Sequence, residues 1–222
     1  MLCVSSTFQS AARPVVKAAD PSQPLTLQEV WSLNSIYTDR QHGVVFRHPS
    51  VWKAATQFGY HRPALVQQDL AQPVVGFAYM EGGFPRDQIV GPYSATNLEG
   101  FGFVYSVLSV ASAVECEGKA TSLAGNPMPD DSPAKNPRDS SVKIAGRLYR
   151  IYQTGGAGMS QSISGKLYAT YSKGSCYLFE TGVAVASPGV LVNIQALTPQ
   201  QVQDINMHLW NMMETVRIVP GK

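Results

Sequence analysis

The sequence predicts an α+β fold, rich in β-strands and closed by a long C-terminal helix. Three observations carry this. Short segments rich in Val, Phe, Tyr and Leu, ended by Gly or Pro, recur from Gly43 to Val185. One segment near the C-terminus has apolar residues at helical spacing behind a capping signal. Charged residues are only 14% of the 222, against about 25% in an average globular domain, and hydrophobic residues reach 44%, so a sizeable core can be buried.

The elements follow in order. Residues 1–27 read as a leader or linker, with Pro14, Pro21 and Pro24 among small residues. Ser10-Ala11-Ala12 approximates a small-residue cleavage site, so this stretch resembles the remnant of an export signal. Residues 28–222 read as a single domain. Leu27 to Asn34 has weak helical spacing. Gly43-Val44-Val45-Phe46-Arg47-His48-Pro49 is a strand ended by a proline, which cannot donate to a ladder. Val74 to Met80 is a second strand, broken by Gly82-Gly83 and Pro85. Phe101, Phe103, Tyr105 and Val107 alternate with the period of two of a half-buried strand.

Residues 117–146 carry Pro127, Pro129, Pro133 and Pro137 among Ser, Asn, Asp and Gly, the composition of a long polar loop inserted in the domain. Arg147 to Tyr152 is again strand-like, and Gly155-Gly156-Ala157-Gly158 reads as a turn. Residues 159–171 and 174–185 form an amphipathic strand pair about Ser172-Lys173-Gly174. In this reading the outward strand positions carry Tyr, Ser, Thr and Gln, which accounts for the low charge. Thr198 is an N-cap, Pro199 suits the first helical position, and Gln201 completes a capping box. Val202, Ile205, Leu209, Met212 and Val216 then recur every three or four residues as a helix face packed on a sheet. Thr215 to Val219 leaves that helix as a last strand.

Composition excludes several functions. The 17 Lys and Arg are scattered and the formal net charge is +2, so there is no nucleic-acid footprint. A membrane span needs roughly 18 or more consecutive apolar residues, and no window comes near that. Of three cysteines, Cys3 lies in the leader, where it is a candidate lipid anchor. Cys116 and Cys176 each sit beside β-type sequence. A bridge between them would close about 60 residues and stabilise the fold by roughly 4 kcal/mol at most; two buried thiols are the alternative.

Motifs for catalysis are weak. Gly158-Met159-Ser160-Gln161-Ser162 lacks the last glycine of a nucleophile elbow, and nothing around Ser175 would activate its hydroxyl. His42 and His48 on one strand stand roughly 20 Å apart, too far to share an ion. His48 and His61 are the weak metal candidates, without the carboxylate or cysteine pattern of a zinc site. The pairs Glu115/Glu117, flanking Cys116 on one strand face, and Asp130/Asp131, in the polar loop, give no general acid and base in distinct environments. The expectation is no metal and no cofactor.

Two segments carry a family resemblance. Tyr37 to Trp52, with Gly43-Val44-Val45-Phe46-Arg47-His48-Pro49-Ser50-Val51-Trp52, resembles the opening strand of PsbP-like domains. The strands Gly165 to Tyr171 and Cys176 to Glu180, a long helix, and the closing Thr215-Val216-Arg217-Ile218 are similar to the end of that family. The superfamily includes the photosystem II subunit PsbP, a nuclear-import factor that binds the Ran GTPase, and bacterial exported lipoproteins. The resemblance implies an antiparallel β-sheet flanked by helices, a PsbP-like α-β-α sandwich, that binds rather than catalyses. The polar loop and the cysteine pair depart from the family pattern, and no functional residue is transferred.

The functional expectation is therefore an exported binding or accessory domain, periplasmic, cell-surface or secreted, whose partner is an unknown protein or small ligand. The exposed sheet face or the 117–146 loop would dock it. Tyr149, Tyr152, Tyr168 and Tyr171 would serve as contacts if exposed, since tyrosine combines apolar area with a polar handle, and as core if not. The alternative is a hydrolase or metal-assisted enzyme in which Ser160, Ser175 or the His48/His61 pair converge in a cleft.

Overall fold

In the computed structural model, residues 24–55, 73–80, 91–124, 140–157, 161–186 and 194–219 are described. Their elements are α1 (Leu27–Trp31), β1 (Ser35–Asp39), β2 (Val44–His48), β3 (Lys53–Ala55), β4 (Pro73–Met80), β5 (Leu98–Ser109), α2 (Ala113–Ala124), β6 (Ser141–Ile144), β7 (Arg147–Ala157), β8 (Gln161–Ser172), β9 (Ser175–Ala186), α3 (Pro199–Glu214) and β10 (Arg217–Ile218). Among them a seven-stranded antiparallel sheet runs β3-β4-β5-β9-β8-β7-β6, and a three-stranded one runs β1-β2-β10. The α+β class, the antiparallel sheet and the C-terminal helix are as the sequence predicts.

Turn and cap chemistry places the elements. Ser172 pairs with Ser175 across Lys173 and Gly174, both at positive φ (48° and 78°), the two-residue turn whose twist matches a hairpin. Ala145 and Gly146 (49° and 81°) do the same between β6 and β7. At α3, Thr198 Oγ1 accepts from Gln201 N–H (3.2 Å) and the Gln201 side chain accepts from Thr198 N–H (2.9 Å), with Pro199 in the first turn. The same box opens α1 through Thr26 and Glu29.

Both faces of the large sheet are buried, and this corrects the half-buried reading of β5 and the amphipathic reading of β8 and β9. Phe101, Phe103 and Tyr105 of β5, Phe77 and Tyr79 of β4, and Phe179 of β9 form one aromatic face. Over it lie Phe46 of β2, Trp31 of α1, and Ile205, Leu209, Met212 and Met213 of α3. The opposite face presents Val104, Leu167, Ala169, Cys176 and Leu178 to Cys116, Ala120 and Leu123 of α2. Alternation along a strand signals solvent on one side; here that side is instead covered by α2, and it buries Ser106 and Glu180 among its apolar residues.

Three further expectations change. The polar loop is shorter than residues 117–146, because α2 continues to Ala124 and β6 begins at Ser141; 125–139, including Asp130 and Asp131, lie outside the described residues. Cys116, Glu115 and Glu117 are on a helix rather than a strand. Ser112 Oγ accepts from Glu115 N–H at 3.2 Å, and the Glu115 carboxylate accepts from Ala111 N–H at 2.7 Å. That Ser-x-x-Glu pattern is a helix start. Gly155, Gly156 and Ala157 form no turn but continue β7, paired with Ser164, Ile163 and Ser162. Glycine there adds no bulk between close strands, and a Cβ on Gly155 would lie 3.2 Å from the Ile163 carbonyl oxygen.

Cys116 and Cys176 form a disulfide, with Cα atoms 5.2 Å apart, that fastens α2 to β9. Both cysteines are buried. Chemical denaturation of a Cys116→Ala/Cys176→Ala variant is expected to show a stability about 2–4 kcal/mol below the oxidised parent. Equal stabilities would mean that the bridge does not form in solution.

Candidate functional site

The small sheet and α3 cover the aromatic face of the large sheet but leave a gap at one end. There β10, the edge of the small sheet, stands opposite the β6–β7 hairpin at the edge of the large one. The gap is a cleft of about 550 Å³ lined by Ile144, Ala145, Gly146, Arg147, Tyr149, Arg217, Ile218 and Val219.

Each polar group in it is held from the sequence upward. Arg217 follows the end of α3. Thr215 caps that helix, its Oγ1 donating to the Met212 carbonyl (2.7 Å) and accepting from Arg47 N–H (2.9 Å) on β2. Arg217 Nη1 then donates to the carbonyls of Glu214 (2.7 Å) and Val216 (2.8 Å). A cation is favoured at this end of a helix, where carbonyls lack partners. Those two bonds leave Nε and Nη2 for other acceptors. Arg147 starts β7 directly after the Ala145-Gly146 turn, and its alternate neighbour Tyr149 shares its face.

The two ion pairs among the described residues are Asp39–His42 and Glu117–Arg150. Arg147 and Arg217 belong to neither. Tyr149, 1% exposed, has its hydroxyl pushed up to about 12 by burial, against the pull of both arginine charges. It stays a neutral O–H at physiological pH. The cleft therefore presents two guanidinium groups beside apolar walls, with Tyr149 as its floor, an arrangement suited to an oxyanion.

A second polar cluster lies where the β1–β2 hairpin meets the sheet. The Asp39 carboxylate accepts from Gln41 N–H (2.9 Å), His42 N–H (3.2 Å) and Tyr105 O–H (3.3 Å), and lies 2.6 Å from His42 Nδ1. Tyr177 O–H donates to the His42 carbonyl at 3.2 Å. Burial alone would raise the Asp39 carboxyl; the hydrogen bonds and the His42 charge carry it below the ordinary range. Burial and then the Asp39 charge push the Tyr105 hydroxyl far up. His42 is thus in the turn before β2, not on a strand with His48. The cluster fixes the hairpin on Tyr105 and Tyr177.

The remaining sequence candidates are dispersed. Tyr149, Tyr152 and Tyr168 are buried core residues, and Tyr171 is half-buried, its hydroxyl accepting from Gly174 N–H (3.2 Å). His48 stacks on Phe77 at 3.9 Å, with Nδ1 at 3.0 Å from the Pro49 carbonyl; burial holds its ring below the ordinary imidazole range. Ser175 pairs with Ser109 and Ser172 at the head of β9. Cys3, His61 and Ser160 lie outside the described residues, among which no group of three His, Cys, Asp or Glu is placed to hold a metal ion.

The two arginines carry no motif, and no local signal marks them: they meet only because β10 and β7 end beside one gap. The Asp39 cluster was findable, since Asp-x-x-His-Gly is a turn in which the aspartate binds backbone N–H groups two and three residues on.

No protein-family model and no curated protein matches the chain. Solved structures to which it is similar include a cyanobacterial PsbP (CyanoP) from Synechocystis sp. PCC 6803, at 13% identity over 83% of this chain and 92% of that one, with a TM-score of 0.44. A protein of Bacteroides thetaiotaomicron VPI-5482 is 10% identical over 86% of this chain and 51% of that one, at 0.40. LpqN of Mycobacterium tuberculosis, involved in cell envelope biogenesis, is 11% identical over 78% and 86%, at 0.36. A PsbP, from the group that the two sequence segments resemble, is thus among the similar structures.

The Asp39 carboxyl lies lower folded than unfolded, so its contribution to stability is present above the ordinary carboxylate range. It is lost as pH falls through the folded value. An Asp39→Asn variant is expected to be less stable than the parent by about 1–3 kcal/mol at neutral pH, with the difference shrinking below about pH 4. Urea midpoints measured across pH check this, and a gap independent of pH would show that Asp39 is not held as an anion.

Proposed function

We propose that this chain is an exported, non-catalytic binding domain that receives an anionic group in the cleft between β10 and the β6–β7 hairpin. The observation that carries the reading is the placement of Arg147 and Arg217 on one cleft with no carboxylate partner among the described residues. Arg217 is exposed and Arg147 half-buried, so both guanidinium groups are open to an anion that can accept hydrogen bonds from them.

Export is supported by the Cys116–Cys176 disulfide, since such bridges persist in oxidising compartments. No described helix is long and apolar enough to cross a membrane. In this reading a lipid on Cys3 would hold the domain at a membrane surface while leaving the cleft free. The hydrolase alternative asks Ser160, Ser175 or His48 with His61 to converge, and no described contact joins Ser175 to His48.

A bound anion raises the melting temperature by mass action. At tenfold the dissociation constant, phosphate or citrate is expected to raise the melting temperature by about 3–5 °C. The rise is expected to vanish in an Arg147→Ala/Arg217→Ala variant at the same ionic strength. Equal rises in both proteins would assign the effect to general salting-out and remove the cleft from consideration.

A further inference from the structure

The character of the cleft narrows the ligand further, on the reading that it takes an anion at all. A tetrahedral oxyanion fills the space of two or three waters, at about 30 Å³ each, a small part of about 550 Å³. That volume is in the range of small-molecule sites, with one side of the cleft open to solvent. Much of the lining that is not arginine is apolar: Ile144, Ile218 and Val219, the last 53% exposed.

An added peptide strand is the competing occupant, because β10 is an edge. Val219 N–H donates to the Gly43 carbonyl at 2.7 Å, and Arg217 pairs with Val45. Alternate residues of a strand point their peptide groups the same way. Ile218 is therefore the single residue of β10 whose peptide groups face away from β2. Strand addition draws its affinity from a row of main-chain hydrogen bonds, and one residue does not make a row.

We propose that the cleft binds a single amphiphilic anion, with a phosphate or carboxylate head on Arg147 and Arg217 and an aliphatic body along Ile144, Ile218 and Val219.

Calorimetric titration of the full chain with inorganic phosphate, hexyl phosphate and hexanol tests this. Hexyl phosphate is expected to bind at least about tenfold more tightly than phosphate, since several methylenes leave water, while hexanol shows no heat of binding. Arg147→Ala/Arg217→Ala is expected to abolish binding of both phosphates. Val219→Ser, a change at an exposed side chain that leaves the fold intact by circular dichroism, is expected to weaken hexyl phosphate several-fold and leave phosphate unchanged. Equal affinities for the two phosphates would overturn the amphiphile while leaving the anion site standing. No binding of either, with no arginine-dependent binding of acidic vesicles, would overturn both readings. Binding of hexanol as tight as that of hexyl phosphate would reduce the cleft to an apolar groove. Vesicles of phosphatidylcholine with and without phosphatidic acid separate the sources of such a head. Arginine-dependent sedimentation with the acidic vesicles, without binding of free hexyl phosphate, would replace the small-molecule ligand by docking to a lipid surface.

Discussion

Burial of both faces of one antiparallel sheet is the constraint on which the rest of the structure depends. Central strands such as β5 and β9 carry large aromatic side chains on one side and smaller buried ones on the other, and at about 25 cal/mol per Å² of apolar surface removed from water the apolar area favours covering both. The aromatic face takes the larger cover: the small sheet, α1 and α3. The opposite face takes α2, a helix of small and medium side chains that approaches closely and is fastened by the disulfide. Phe101 shows how tightly the first cover fits, with Trp31 stacked on one side at 4.2 Å and Tyr79 on the other at 5.1 Å. Buried polar edges of these rings are matched: Trp31 Nε1 donates to the Tyr93 hydroxyl and Trp52 Nε1 to the Val30 carbonyl.

A cover made of separate pieces cannot end flush with a twisted sheet. The cleft is the place where it stops short. The large sheet runs on through β7 and β6, while the small sheet ends at the two residues of β10. The charged residues there, Arg147 and Arg217, sit where burial is incomplete, and Tyr149 beneath them already belongs to the core. Position in the fold and chemistry of the site thus share one cause. The Asp39 cluster solves the opposite problem. It buries a carboxylate at the seam between the sheets and surrounds it with hydrogen-bond donors, so the small sheet is located by polar contacts as well as by Phe46.

Local signals in the sequence were legible to the residue where a cap or hairpin turn carried them, but not at the glycine run from Gly155, which continues β7 instead of turning. The cap at Thr198, Pro199 and Gln201 and the turn at Lys173-Gly174 act within four residues, and the structure places both where the sequence puts them. The glycine-to-proline strand Gly43 to Pro49 was legible for the same reason. What failed were inferences about what lies opposite. The period of two at Phe101, Phe103 and Tyr105 was real, but the positions between them, Gly102, Val104 and Ser106, are small enough to be covered and are buried too. Tyr149, Tyr152 and Tyr168 read equally well as contacts or as core until the strand order set which sides were covered. Helix α2 was obscured by Gly118 and by proline-rich sequence just after it, although Ser112-x-x-Glu115 marked its start. The arginine pair had no local signal, because strand order alone brings Arg147 and Arg217 to one gap.

Gly43 and Val219 lie near opposite ends of the chain and touch through their backbones. A Cβ on Gly43 would stand 2.3 Å from the Val219 carbonyl oxygen, and its φ of 68° is one that glycine adopts freely. The contact joins segments far apart in sequence, and pairings of that kind slow folding relative to local ones. The sheet meander from β6 to β9 can zip locally, but the cleft has no second wall until β10 docks on β2. Ligand binding at the arginines would thus bridge β10 to the β6–β7 hairpin and hold the small sheet against the edge of the large one.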